Sequence, residues 1–285
     1  MALAAETVKS IEDFVQARPR TIQEVSLLLG KNWRTAESYV ERISLEHGTL
    51  AMHTFRGGTK GALKLVYWQN VERPHSSAVQ ERLFRQVQLG RSTADFSPMD
   101  IYQFVSPGLK EAYLEAQEDN AREVKQDLVT PLRSAREQVL IFSGNLSWAN
   151  LVQEGISLVD VFEELAEARV SIKFLTMLDI SSLKNYEKIA AVNTRLGRDA
   201  IEIRHGIHPL RAFIVDNSLA QFKETKHPAD YERGELQKKT YIFYRIRDPE
   251  WVGWCQKVFW NLFRTALPAE KRIENLRMIE GLQML

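Results

Sequence analysis

Ten side chains between positions 31 and 64 share one chemistry. Lys31, Asn32, Arg34, Thr35, Ser38 and Arg42 come first, and Arg56, Thr59, Lys60 and Lys64 follow around Gly57, Gly58 and Gly61. All can donate hydrogen bonds to phosphate oxygens or base edges. Arg34 can donate to a phosphate or to guanine, Asn32 can pair with adenine or with backbone, and Lys31 suits a phosphate. Ser38 stands one helical turn beyond Arg34 and Thr35, so it falls on the same face. The glycines would let a basic loop tip approach a phosphate backbone or the minor groove. The chemistry is recognition of duplex DNA, with no covalent step. Glu37, Glu41 and Glu46 dilute the positive charge, so contact with a protein alone is the competing reading. Trp33 suits either bracing the turn or touching DNA.

These residues need elements to position them. A helix is expected over residues 6–17, where Val8, Ile11, Phe14 and Val15 recur at helical spacing before Pro19. Thr21, three residues before Glu24, is a capping-box pattern. It starts a second helix with Val25, Leu28 and Leu29 as its buried stripe, and Gly30 suits the left-handed turn that stops it. A third helix over 33–46 turns Ala36, Tyr39, Val40 and Ile43 inward and ends at Gly48. Strands over 49–55 and 62–68 join through the glycine-rich basic tip. A helix pair followed by a basic hairpin is the pattern of a winged helix-turn-helix, whose second paired helix enters the major groove.

Downstream, Pro74, His75, Ser76 and Ser77 form a linker-like break, residues 92–107 read as a loop, and 108–137 read as helical with an interruption near Thr130 and Pro131. Strands then alternate with helices. Strands are expected over 139–143, 170–177, 201–204, 211–215 and 240–246, and helices over 156–168 and 181–195. Asp248 and Pro249 open a long helix to Thr265. Such alternation specifies an α/β domain with a mixed sheet. Residues 269–283 make a short amphipathic tail.

The 285 residues suit two domains with a connector, and 44% hydrophobic content is enough for real cores. A net charge of +1 means that any affinity for nucleic acid comes from a local patch. The single Cys255 excludes an intrachain disulfide framework and a multi-cysteine zinc site. Met1–Glu6 has no basic start and does not read as a signal peptide. No apolar run approaches the roughly 20 residues that span a bilayer. The expected location is the cytoplasm.

The run from Thr21 to Trp68 resembles archaeal winged-helix regulators, above all in Asn32-Trp33-Arg34-Thr35-Ala36-Glu37-Ser38-Tyr39-Val40. Residues 139–266 resemble the phospholipase-D-like domain that regulators of the TrmB type carry behind a winged helix. The segments Val139–Ser147, His208–Asp216 and Tyr241–Trp251 carry that resemblance. Enzymes of that superfamily use a His-x-Lys-x4-Asp motif, in which the histidine attacks phosphorus and the lysine holds phosphate oxygens. Counting back from Asp216, the lysine position holds Arg211 and the histidine position holds Pro209. His208 is displaced by one residue, and on a regular strand it would face away from Arg211. The resemblance therefore implies an inactive relative.

Arg211 keeps a cationic fork that can hold an anion, or it pairs with an acidic neighbour. Asn145, Ser147, His208 and Arg211 are the candidate effector or anion site. His205 and His208 read as surface-loop histidines. Trp251, Trp254, Phe259, Trp260 and Phe263 are spaced for a helix packed into a core or a dimer contact.

The expected fold is thus α+β and α/β, with an N-terminal winged helix-turn-helix joined to a C-terminal phospholipase-D-like α/β domain with a mixed sheet. The expected boundaries are 1–70, a connector over 71–137, 138–267 for the second domain, and a tail over 268–285. The expected function is a homodimeric transcriptional regulator that binds double-stranded DNA, with a small-molecule effector as a further partner. No cofactor, metal or membrane contact is implied. The alternative is a phosphodiesterase or nuclease targeted to DNA by its winged helix.

Overall fold

The computed structural model describes residues 3–56, 62–69, 76–116, 127–231, 236 and 238–283. The chain divides into two compact units. The first comprises Met1–Leu83, Ser97–Gln117 and Glu224–Tyr244, and the second comprises Phe84–Phe96, Glu118–Lys223 and Arg245–Leu285.

The first unit begins with α1 (Ala5–Ala17), β1 (Arg20–Thr21), α2 (Ile22–Leu29), α3 (Trp33–Glu46), β2 (Leu50–Arg56) and β3 (Ala62–Trp68). The three strands form an antiparallel sheet in the order β1-β3-β2. Thr21 and Glu24 make the reciprocal capping box, and Gly30 ends α2 with a left-handed φ of 60°. Val8, Ile11 and Val15 of α1 meet Val40 and Ile43 of α3 in one core.

The inner face of α2 differs from expectation at Leu28, which is 41% exposed. The capping box starts the helix at Ile22, so the face that turns inward carries Ile22, Val25 and Ser26. Leu28 lies about a third of a turn away from that face.

Along the chain come α4 (Ser76–Leu89), α5 (Met99–Tyr102) and β4 (Lys110–Ala116). The helix expected over 108–137 is replaced at its start by a strand. Residues 110–116 are a strand, residues 117–126 lie outside the described residues, and among the described residues of this run the α-helix is α6 (Val129–Arg133). Lys, Glu, Ala and Leu in this run favour helix by intrinsic propensity. Tertiary pairing overrides that preference here, with Tyr113 stacked on Phe243 at 5.5 Å.

The remaining elements are β5 (Gln138–Ser143), β6 (Val152–Gln153), β7 (Ile156–Ser157), α7 (Leu158–Glu167), β8 (Ser171–Thr176), α8 (Leu183–Leu196), β9 (Ile201–His205), β10 (Ala212–Val215), β11 (Leu219–Lys226), β12 (Thr240–Ile246), α9 (Pro249–Thr265), β13 (Leu267–Pro268) and α10 (Ala269–Gln283). Eight strands make a mixed sheet in the order β13-β9-β8-β5-β10-β11-β12-β4. β5, β8 and β9 are parallel, joined through α7 and α8, while β10 runs antiparallel to β5 and β11. The chain is thus a mixed α+β protein with a large mixed sheet.

Four of the five aromatic residues of α9 belong to the core. Trp251, Trp254, Phe259 and Phe263 are all buried, and Phe259 lies edge-on to Phe142 at 5.1 Å. Trp260 on the same helix is half-buried. Among the described residues, no helix is long and apolar enough to cross a membrane.

Candidate functional site

The start of α3 is built by two of the residues expected to contact DNA. Asn32 is its N-cap, and Asn32 Oδ1 accepts from the Thr35 backbone N–H at 2.9 Å and from Thr35 Oγ1 at 3.1 Å. The Asn32 side chain satisfies the helix terminus first, and the Thr35 hydroxyl donates to it. Lys31, Arg34 and Ser38 are exposed. Arg42 is engaged by Glu46 one turn on, at 3.1 Å. Lys64 of β3 forms an ion pair with Glu37, so Glu37 neutralises that cation directly. The side chain of Arg56, and Gly57, Gly58, Thr59, Lys60 and Gly61, lie outside the described residues.

Trp33 is 43% exposed and does not brace a core. The Arg34 guanidinium stands 5.4 Å from its ring centroid and Lys64 Nζ stands 5.7 Å from it. Leu27, at 66% exposure, and Leu28 also face solvent on α2, which the periodicity of that helix did not reveal.

The second candidate site lies at the C-terminal ends of β5, β8 and β9. Ligands of open α/β sheets bind outside such strand ends. Main-chain bonds lace the three ends together. The Gly144 carbonyl accepts from Met177 N–H at 2.8 Å and from Thr176 Oγ1 at 2.7 Å, and the Thr176 carbonyl accepts from Gly206 N–H at 2.9 Å. Asn145 and Ser147 are exposed on the loop after β5, where Asn145 Oδ1 accepts from Ser147 N–H at 3.3 Å. Because β10 pairs antiparallel to β5, the residues before Ala212 arrive beside this loop.

His208 is fully buried rather than a surface-loop residue. Residues 206–211 are irregular, and β10 begins only at Ala212, so strand alternation does not decide where His208 points. Its ring lies 5.3 Å from Phe142, edge-on. Nε2 is 3.1 Å from the Leu175 carbonyl. A carbonyl only accepts, so Nε2 carries the proton and Nδ1 the lone pair. Burial, reinforced by the Arg211 charge, holds its pKa down at about 4. Pro209 is buried beside it and lies tight against Gly90, where an added Cβ would come within 2.7 Å of Pro209 Cγ. Nothing in the sequence marks Gly90 for that role.

His205 is also committed to structure. Its Nδ1 accepts from Leu178 N–H at 2.9 Å, and burial, with Arg272 nearby, lowers its pKa.

Arg211 is half-buried, and burial lowers its pKa. Nη1 donates to the Leu210 carbonyl at 2.7 Å. Among the described residues no carboxylate lies within ion-pair distance of Arg211. The guanidinium lies over Gly144, where an added Cβ would meet Nη2 at 2.6 Å. We expect Gly144→Ala to fold with little loss of stability, because the guanidinium is the movable end of a long side chain. It should nevertheless displace the cation. Thermal melts with and without millimolar phosphate check this: a phosphate-induced rise in Tm should be present in the parent and absent in Gly144→Ala.

Asp216 has a structural role. It takes a left-handed φ of 45° in the turn between β10 and β11. Its carboxylate accepts from the backbone N–H groups of Arg136, Glu137 and Gln138 at 2.8, 2.9 and 2.8 Å. Among the described residues, no group of three or more His, Cys, Asp or Glu is arranged to hold a metal ion.

No protein-family model matches the chain, and no curated protein sequence matches it. Among solved structures, it is similar to a phospholipase D family member, Nuc from Salmonella typhimurium, at 10% sequence identity and a TM-score of 0.40, over 56% of this chain and 97% of that one. NucT from Helicobacter pylori is similar at 12% identity and a TM-score of 0.40, over 56% of this chain and 99% of that one. TrmBL2, described as an archaeal chromatin protein with a novel mode of DNA binding, is similar at 13% identity and a TM-score of 0.39, over 93% of this chain and 94% of that one.

Proposed function

We propose that this chain is a DNA-binding transcriptional regulator whose first unit carries a winged helix and whose second unit holds an effector without turning it over. The observation that carries this reading is the start of α3. Lys31, Arg34 and Ser38 face solvent there, on a helix that follows a capped helix and a left-handed glycine turn. N-terminal side chains of a helix so presented are those that reach the major groove.

In the second unit, Arg211, Asn145 and Ser147 form an anion-binding corner. His208 supports no attack on phosphorus from its sealed position, since a nucleophile must reach its substrate. We propose a homodimer as the working form, because duplex sites are commonly read by two-fold pairs.

Fluorescence anisotropy with labelled duplex at several salt concentrations tests the first part. Lys31→Ala with Arg34→Ala should weaken binding by at least tenfold at low salt. The slope of log affinity against log salt should flatten by about one unit for each phosphate contact removed. Unchanged affinity and slope would end the groove-docking reading. Incubation with a chromogenic phosphodiester tests the second part: no turnover is expected, and turnover abolished by His208→Ala would establish the enzyme instead.

A further inference from the structure

We infer that Trp33 reads thymine methyl groups in the duplex, so that the apolar plate at the start of α3 sets a preference for thymine-bearing sites. The inference rests on the DNA-binding reading above. Six tryptophans occur in the chain, and Trp33 alone is exposed. An indole at a helix start that leaves 43% of its surface in water does not serve a core.

Its position is nonetheless defined. Arg34 stands at 5.4 Å from the ring centroid, and Lys64 stands at 5.7 Å while anchored by its ion pair with Glu37. Cations near an aromatic ring are attracted to its face, and with Lys64 matched by Glu37 it is Arg34 that brings charge suited to a polyanion. Lys31 and Ser38 extend that polar surround.

A side chain at the N-terminus of a groove-docked helix meets base edges. Among the base edges of the major groove, the one apolar group is the thymine C5-methyl. An apolar plate set between Lys31 and Arg34 in the chain, the two residues assigned to the backbone, therefore has thymine as its complementary base. The position also separates two roles: Lys31 and Arg34 hold backbone, whereas Trp33 carries sequence information.

Two pools of random-sequence duplex, identical except that one carries uracil wherever the other carries thymine, isolate the methyl. The wild-type chain should bind the thymine pool about fourfold tighter, the effect of burying one methyl group. Trp33→Ala should bind both pools equally, with an unchanged salt slope because no phosphate contact is lost. Trp33→Phe keeps an apolar ring and should retain part of the preference, which separates lost reading from lost folding.

Equal binding of the two pools by the wild-type chain overturns the inference without needing any variant. A thymine preference that survives in Trp33→Ala overturns it as well. A Trp33→Ala chain that loses self-association in sedimentation, while its ratio between pools is unchanged, would assign the plate, with Leu27 and Leu28, to protein contact. Failure of the wild-type chain to bind either pool would instead reject DNA binding itself.

Discussion

Asp216→Ala should lower the stability of the second unit by about 3 kcal/mol. Three backbone N–H groups at the entry to β5 converge on this carboxylate. Hydrogen bonds to a charged acceptor contribute about 1.5–3 kcal/mol each when shielded. Those of Arg136 and Glu137 are open to water, which replaces part of the loss. The residue also sits at a φ of 45°, a conformation that costs most L-residues about 1–2 kcal/mol and that aspartate and asparagine tolerate best. Asp216→Asn should therefore cost about half as much. It keeps the turn and one acceptor oxygen for Glu137 and Gln138 but presents a donor to Arg136. Urea unfolding of the three chains measures the order. Hydrogen exchange at residues 136–138 should show protection lost in the alanine chain and partly kept in the asparagine chain. Equal stability of Asp216→Ala and the parent would remove the structural role assigned here.

His208 should give the protein a steep acid limb. In the unfolded chain an imidazole titrates near its ordinary value of about 6.5. In the fold, burial and Arg211 hold it at about 4. Between these values the unfolded chain binds a proton that the folded chain refuses. The stabilisation is fully present above about pH 6.5 and is lost as the pH falls toward about 4. A shift of this size corresponds to about 3 kcal/mol across the window. His208→Gln keeps a donor for the Leu175 carbonyl and removes the titration. Between pH 7 and pH 4 the parent should therefore lose about 3 kcal/mol more stability than the variant, measured as urea midpoints along the pH series. Parallel acid limbs in the two chains would show that the imidazole is not sealed as described.

Local chemistry in the sequence determined much of the frame. Thr21 with Glu24, Gly30, and Asp248 with Pro249 mark helix ends through side-chain and backbone rules that act within a few residues. α2 begins and ends where those rules place it, and α9 begins where they place its start. The alternation of apolar strands with helices likewise specified β5, β8, β9 and the helices between them, because each strand's apolar run is bounded by turn residues.

Tertiary structure alone decided the rest. Lys110–Ala116 has helix-forming residues yet becomes a strand. Its Lys110 ammonium lies 5.2 Å from the Tyr67 ring and 4.5 Å from the Tyr102 ring, and contacts of such sequence separation leave no local periodicity. The same limit applies to the site. His208 and Arg211 are placed by an irregular stretch whose course depends on Phe142, Leu175, Gly90 and Gly144, four residues distant in sequence. Asn32, Thr35 and Lys64 carried the chemistry expected of DNA contacts. Folding shows that Asn32 caps a helix, that Thr35 donates to that cap and that Lys64 is bound to Glu37. A side chain's type is written in the sequence, but whether it is exposed, paired or sealed depends on which distant residues fold against it.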